Sequence, residues 1–138
     1  MQPDLKILVV DDSPLHADIL ESILENLGIR NVTKAINGLD ALEHFKEALK
    51  NAAPYSLVFL DIVMPGIDGQ EALKHIRALE KESGVNGNDK TIIIMTTSLS
   101  SPTDMITALL EGDCTDYIVK PVAENILKNV LIKHGLLA

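Results

Sequence analysis

The sequence predicts an α/β fold in which five parallel strands form one sheet with helices on both faces. Short apolar runs alternate five times with longer segments whose apolar residues recur at helical spacing. Three of the runs are almost continuously apolar and rich in Val and Ile, as in strands covered on both faces. Right-handed crossovers between successive strands then give a doubly wound sheet.

The strands are predicted from these apolar runs, and the length of the chain limits them to one domain. A chain of 138 residues, of which 46% are hydrophobic, is long enough to bury a core and is not disordered in composition. The predicted strands are Leu5 to Val10, Asn31 to Ile36, Tyr55 to Leu60, Thr91 to Met95 and Thr115 to Val119.

A helix is predicted after each strand, and two of the helices carry clear start signals. Ser13 is the predicted N-cap of the first helix, Pro14 its first residue and Gly28 its stop. Asp68 is the predicted cap of the third helix. The apolar positions of the five helices are, in order, Leu15, Ile19, Leu20, Ile23, Leu24 and Leu27; Leu42, Phe45 and Leu49; Ala72, Leu73, Ile76 and Leu79; Met105, Ile106, Leu109 and Leu110 in a helix over 101–112; and Ile126, Leu127, Val130 and Leu131 in a helix that begins near Pro121.

The charge and composition of the chain indicate which classes of partner it binds and in which cellular compartment it is found. The formal net charge of −8 argues against a basic face for nucleic acid, and indicates a metal, a basic protein partner or simple solubility. The single cysteine, Cys114, cannot form an internal disulfide, which is typical of a reducing cytoplasm. The chain has no signal-peptide pattern and no apolar stretch of about 18 residues, so we expect a cytoplasmic protein without membrane insertion.

Three aspartates stand at strand ends and are the main candidates for a functional site. Asp11 and Asp12 follow the first predicted strand, and Asp61 follows the third. Ligands of a doubly wound sheet bind beyond the carboxyl ends of its strands. Three carboxylates that converge at the edge of an apolar layer require a compensating cation, so the pattern predicts a divalent metal site.

Four motifs at strand ends together resemble the receiver domain of two-component response regulators. They are Val10-Asp11-Asp12-Ser13, the run from Asp61 to Gly69 (DIVMPGIDG), Met95-Thr96-Thr97-Ser98 and Tyr117-Ile118-Val119-Lys120-Pro121. The resemblance covers essentially the whole chain, so residues 1–138 are interpreted as a single, chemotaxis-regulator-like receiver domain without an effector domain. It implies a flavodoxin-like sheet with strand order 2-1-3-4-5.

The resemblance also implies a phosphoryl transfer that depends on Mg²⁺. Asp61 would accept a phosphoryl group from a phosphohistidine of a sensor histidine kinase or phosphotransfer protein. Asp11, Asp12, Asp61 and the backbone carbonyl of Val63 would hold the metal, with Asp12 a direct ligand and Asp11 acting partly through water. Lys120 would pair with a phosphoryl oxygen.

In this family a hydroxyl after the fourth strand and an aromatic on the fifth strand respond to the phosphoryl group. Thr96, Thr97 and Ser98 are all candidates for the hydroxyl, and counting back from Lys120 favours Thr97. Tyr117 is the aromatic candidate. The expected output is a change in protein contacts on the face formed by the fourth helix, the fifth strand and the last helix.

Each of these residues has a plainer interpretation. Asp11 and Asp12 could cap the first helix, although Ser13 is better placed, and Asp61 could be an ordinary turn residue. Lys120 could be a surface lysine and Tyr117 a half-buried core residue.

Two other functions compete with the receiver interpretation. One is a pseudo-receiver that binds partners without being phosphorylated, and the other is a small phosphatase of the haloacid dehalogenase type. A phosphatase of this type requires an Asp-x-Asp pattern and a cap domain, and the sequence shows neither. The receiver interpretation implies a downstream protein as a second partner, and a monomer or weak dimer is expected. No role is predicted for the four histidines, His16, His44, His75 and His134.

Overall fold

Five strands and four helices make up the described part of the chain. The computed structural model describes residues 5–62, 64, 66, 68–85, 90–97 and 115–137. The strands are β1 (Ile7–Val10), β2 (Val32–Ala35), β3 (Leu57–Asp61), β4 (Ile92–Thr97) and β5 (Asp116–Val119). The helices are α1 (Pro14–Asn26), α2 (Gly38–Lys50), α3 (Gly69–Glu82) and α4 (Glu124–Lys133).

The strands form one sheet in the order β2-β1-β3-β4-β5, and every neighbouring pair is parallel. The predicted fold class and strand order are therefore confirmed. The direction of winding reverses between β1 and β3, so the crevice for a ligand lies beyond the carboxyl ends of these two strands.

The sheet lies between two apolar layers. Every residue of β1 and β3 is buried, which confirms that these strands are covered on both faces. Phe45 of α2 and Leu73 of α3 belong to one layer. Leu24 of α1 and Leu127 of α4 belong to the other. Because side chains alternate along a strand, successive residues of β1 and β3 enter opposite layers.

The predicted helix signals are present in the structure. Ser13 Oγ accepts the backbone N–H of His16 at 3.3 Å, and Pro14 is the first residue of α1. Gly28 has a φ of +87° just beyond the end of α1, in the left-handed region that favours glycine. The Asp68 side chain caps α3 through a hydrogen bond of 2.9 Å.

Two strands extend further than predicted. β3 includes Asp61 and β4 includes Thr96 and Thr97, so these polar residues are part of the sheet and do not follow it. They remain hydrogen-bonded to their neighbours, since the N–H of Ile62 donates to the carbonyl of Thr96 at 3.0 Å. The ladder therefore continues beyond the apolar run that predicted it.

The last helix begins later than predicted. Its first residue is Glu124 and not a residue near Pro121, because Ala123 still has extended backbone angles. Ile126 is 47% exposed, which contradicts its predicted burial. Leu127 and Leu131 occupy the centre of the buried face of α4, and Ile126 lies at its margin. The helix predicted over 101–112 lies outside the described residues.

Within the described ranges, no helix is long and apolar enough to cross a membrane.

An ion-pair cluster joins the start of β5 to the end of α4. Asp116 Oδ2 lies 2.9 Å from His134 Nε2 and 3.2 Å from Lys133 Nζ, and Oδ1 accepts the N–H of Tyr117 at 2.9 Å. Partial burial opposes the charge on Asp116. The hydrogen bonds from His134 and the other two donors outweigh burial and hold the pKa of Asp116 below its usual value.

We expect Asp116→Asn to lower the free energy of unfolding by about 1 kcal/mol near pH 6. A depressed pKa contributes stability above the unfolded pKa of about 3.9, and this contribution is lost as the pH falls through the folded pKa. The difference between variant and wild type should therefore shrink below about pH 4. Urea unfolding over this pH range measures the difference in stability. The control is Glu25→Gln, which removes an exposed carboxylate. An equal difference in the free energy of unfolding at every pH would show that the stabilisation does not come from the charge of Asp116.

Candidate functional site

The three strand-end carboxylates converge, as the sequence predicts. β1 and β3 are neighbours in which Val10 pairs with Leu60, so Asp11, just beyond β1, lies beside Asp61, the last residue of β3. One oxygen each from Asp11, Asp12 and Asp61 lie within 4.8 Å of one another. Asp11 and Asp61 are buried, whereas Asp12 is exposed. The cluster is thus a partly buried pocket of negative charge that opens to solvent at Asp12.

Lys120 supplies a cation at this cluster. Its Nζ lies 2.7 Å from Asp11 Oδ2 and 3.1 Å from Asp61 Oδ2. Its backbone N–H donates to the carbonyl of Thr97 at 2.7 Å, which fixes the residue just beyond β5. Burial disfavours the ammonium, but the hydrogen bonds and negative charges of Asp11 and Asp61 raise the pKa of Lys120 above its ordinary value. Lys120 therefore stays charged at neutral pH.

Asp11 has a second contact, which the sequence analysis did not predict. Its Oδ1 accepts the backbone N–H of Ser13 at 2.9 Å, a local hydrogen bond typical of aspartate in turns. The helix cap itself is Ser13, so the capping interpretation of Asp11 and Asp12 is wrong. Asp11 thus fixes the turn from β1 into α1 while it holds Lys120.

Gly69 allows α3 to begin directly against the end of β3. Its N–H donates to the carbonyl of Ile62 at 2.9 Å. A Cβ on residue 69 would collide with the backbone of Asp61 and Ile62. The glycine is thus a requirement of the backbone, and it helps to fix the backbone of Asp61.

The strand register favours Thr96 over Thr97 as the hydroxyl at the site. Thr96 pairs directly with Asp61, and paired residues of parallel strands direct their side chains to the same face. Thr96 also lines a cavity of about 360 Å³ together with Asp11 and Lys120. Alternation directs Thr97 to the opposite face. The preference for Thr97 is therefore not supported. Counting back from Lys120 gives a separation along the chain, but it does not show which face of the sheet a side chain points to.

Tyr117 is the remaining predicted site residue that the structure describes. Tyr117 pairs with Met95 on the edge strand β5 and is 36% exposed, so its ring is at the surface and does not turn inward. Val63 and Ser98 lie outside the described residues.

His16 lies at the site, although no histidine was expected there. Its Nδ1 is 3.2 Å from Lys120 Nζ and 3.9 Å from Asp11 Oδ2. The signal in the sequence is its position in the first turn of the helix that directly follows Asp12. Of the other histidines, His44 lies near Asp40 on α2 and His134 pairs with Asp116.

Comparison with known proteins establishes the family. Residues 7–132 match the model of the response regulator receiver domain. The chain belongs to this family.

Individual relatives agree with this membership. The sensor histidine kinase GacS of Pseudomonas protegens is 32% identical over 96% of the chain, which spans 13% of that protein. The receiver domain of Ssk1 from Saccharomyces cerevisiae, co-crystallised with the phosphotransfer protein Ypd1, is 32% identical with a TM-score of 0.82, covering 98% of this chain and 91% of that one. The receiver domain of the histidine kinase CKI1 from Arabidopsis thaliana, complexed with Mg²⁺ and BeF₃⁻, is 26% identical with a TM-score of 0.83, covering 95% and 89%.

The donor set of the cluster fits a hard divalent cation. Asp11, Asp12 and Asp61 provide only carboxylate oxygens, which are the ligands that Mg²⁺ prefers in proteins. Lys120 lies against the two buried carboxylates and leaves the solvent side open at Asp12. The arrangement can therefore admit a cation.

We expect Asp12→Asn to leave the metal-free fold equally stable or to stabilise it by up to about 1 kcal/mol, because it relieves crowding of like charges. MgCl₂ should raise the free energy of unfolding of the wild type, since binding to the native state stabilises it, and should do so less in the variant.

Urea unfolding in EDTA and in MgCl₂ measures both effects, and Glu25→Gln controls for the loss of one exposed acidic charge on α1. A clear loss of stability in EDTA would show that Asp12 has a structural role, in conflict with the prediction.

Proposed function

We propose that the chain is a response regulator that accepts a phosphoryl group on Asp61 in a reaction that depends on Mg²⁺. The donor would be the phosphohistidine of a sensor histidine kinase or of a phosphotransfer protein. The observation that carries the proposal is the position of Lys120, whose ammonium lies between the buried carboxylates of Asp11 and Asp61. A cation held there meets the negative charge that develops on a phosphoryl group in transfer.

The reaction needs a nucleophile and a set of positive groups, and no external base. A lone pair of an Asp61 carboxylate oxygen forms the new O–P bond while the P–N bond of the phosphohistidine breaks. The electron pair of that bond returns to the imidazole nitrogen, which takes up a proton. Mg²⁺ held by Asp11, Asp12, Asp61 and the carbonyl of Val63 would supply further positive charge to the phosphoryl oxygens. The chain would thus promote its own phosphorylation and dephosphorylation without being an enzyme for other substrates.

The relatives support a phosphotransfer partner. The Ssk1 receiver is described in complex with a histidine phosphotransfer protein, and the CKI1 receiver with Mg²⁺ and BeF₃⁻. We infer an equivalent partner and cofactor for this chain. The predictions of a cytoplasmic location, of a receiver without an effector domain and of a monomer or weak dimer stay predictions.

We infer that Thr96 couples the site to the rest of the fold. A phosphoryl group on Asp61 would favour the arrangement in which the Thr96 hydroxyl and Lys120 both approach it, which shifts the population toward a form that binds a downstream protein. β5 is the element that would carry the change outward, because Thr96 pairs with Ile118 and the neighbouring Tyr117 is at the surface.

Incubation with acetyl phosphate should add one phosphoryl group to the wild type when MgCl₂ is present and not when EDTA replaces it. Asp61→Asn should abolish the adduct because the nucleophile is lost, and intact-mass spectrometry measures it. Asp68→Asn is the matched control, since it removes a nearby carboxylate but keeps a good N-cap for α3.

The other functions give different results in the same assay. A pseudo-receiver forms no adduct with acetyl phosphate or BeF₃⁻, and a phosphatase turns over an added phosphomonoester. Either outcome would refute the proposal.

A second experiment separates the two threonines. BeF₃⁻ with MgCl₂ should shift the backbone amide resonances of β5 in the wild type and in Thr97→Ala, but much less in Thr96→Ala, because Thr96 is the one of these two threonines that pairs with Asp61 and shares its face of the sheet. Two-dimensional ¹H–¹⁵N NMR spectra measure the shifts. The reverse pattern would restore Thr97 as the coupling residue.

A further inference from the structure

His16 completes the set of acceptors around the ammonium group of Lys120. Nζ lies 2.7 Å from Asp11 Oδ2, 3.1 Å from Asp61 Oδ2 and 3.2 Å from His16 Nδ1. A lysine ammonium has three N–H donors and no acceptor. The three donors are thus matched by two carboxylate oxygens and one ring nitrogen.

The distances also decide which tautomer of His16 fits the site. Because the ammonium can only donate, Nδ1 must accept, and the neutral ring then carries its proton on Nε2. The alternative, in which Nδ1–H donates to Asp11 Oδ2, would span 3.9 Å and is too long for a hydrogen bond.

His16 differs from the other two acceptors in what the proposed reaction does to them. Asp11 and Asp61 are both candidate metal ligands, and Asp61 would also carry the phosphoryl group, so their hold on Lys120 would weaken during the reaction. His16 is neither a candidate metal ligand nor the proposed phosphoacceptor, so the proposed reaction does not engage its ring nitrogen. It is therefore the acceptor that remains available to Lys120.

We propose that His16 is a positioning residue for Lys120, an inference that rests on the proposed phosphoryl transfer. With one N–H directed to Asp11 and one to His16, the third is directed to Asp61, where the phosphoryl group would be added. The imidazole is 46% exposed, so an apolar residue at position 16 would leave one ammonium N–H to water. Lys120 would then spend less time directed at Asp61.

Two substitutions separate the hydrogen bond from the space that the ring fills. His16→Asn can place its Oδ1 close to the position of Nδ1, whereas His16→Leu keeps the bulk and removes the acceptor. His44→Leu on α2, away from the cluster, is the matched control. Urea unfolding checks that all variants are folded.

The first measurement needs neither metal nor phosphoryl donor. In ¹⁵N-lysine-labelled protein, with the Lys120 signal assigned by Lys120→Arg, exchange of the ammonium protons with water should be about fivefold faster in His16→Leu, which lacks one hydrogen bond. His16→Asn and His44→Leu should resemble the wild type.

The second measurement is the rate of phosphorylation by acetyl phosphate with MgCl₂. His16→Leu should react about fivefold more slowly, and His16→Asn within about twofold of the wild type. Unchanged ammonium exchange in His16→Leu, an unchanged rate, or equal slowing in both His16 variants would overturn the inference. If the wild type itself takes no phosphoryl group, the proposed function fails, and the exchange data alone decide whether His16 holds Lys120.

Discussion

The contact of one ammonium group with two buried carboxylates is the interaction on which the rest of the site depends. Asp11 and Asp61 come from the neighbouring strands β1 and β3, and Lys120 comes from beyond β5, two strands away from β3. Without Lys120, two carboxylates that are 6% and 5% exposed would face each other at the end of an apolar sheet. Removing one member of a buried charged set leaves the others uncompensated, which costs several kcal/mol, typically about 3–5. The cation that compensates the two buried carboxylates is therefore the same group to which the proposed function assigns the phosphoryl oxygens.

The fold supplies this geometry through the sheet itself. Backbone hydrogen bonds continue past the apolar runs, so Asp61 and Thr96 are placed by strand pairing and not by a loop. Gly69 then brings α3 against the backbone of Asp61, and Asp11 fixes the turn into α1. The proposed nucleophile, Asp61, is thus held by regular elements on both sides, which suits a reaction that depends mainly on positioning and charge.

The sequence predicted the sheet and the acidic cluster because both follow from local patterns. Continuous apolar runs identified β1 and β3, the strand ends identified Asp11, Asp12 and Asp61, and the resemblance to receiver domains added Lys120. Prediction was weaker where the outcome depends on tertiary contacts. The choice between Thr96 and Thr97 requires the register of β4 on β3, and the exposure of Ile126 depends on how α4 rotates against the sheet. His16 was missed because its partner Lys120 is distant in the chain, and its position in the first turn of α1 does not by itself reveal that contact.

The closing of the cluster by Lys120 also bears on how the chain folds. Lys120 and Asp11 are separated by 109 positions, so their contact encloses nearly the whole described chain. A contact of such long separation forms only after the loop-closure entropy of the intervening chain has been overcome. During synthesis, β1 and β3 emerge with their carboxylates long before the lysine that neutralises them. On the proposed function, the site becomes competent to accept a phosphoryl group only after β5 has joined the sheet, because Lys120 directly follows that strand.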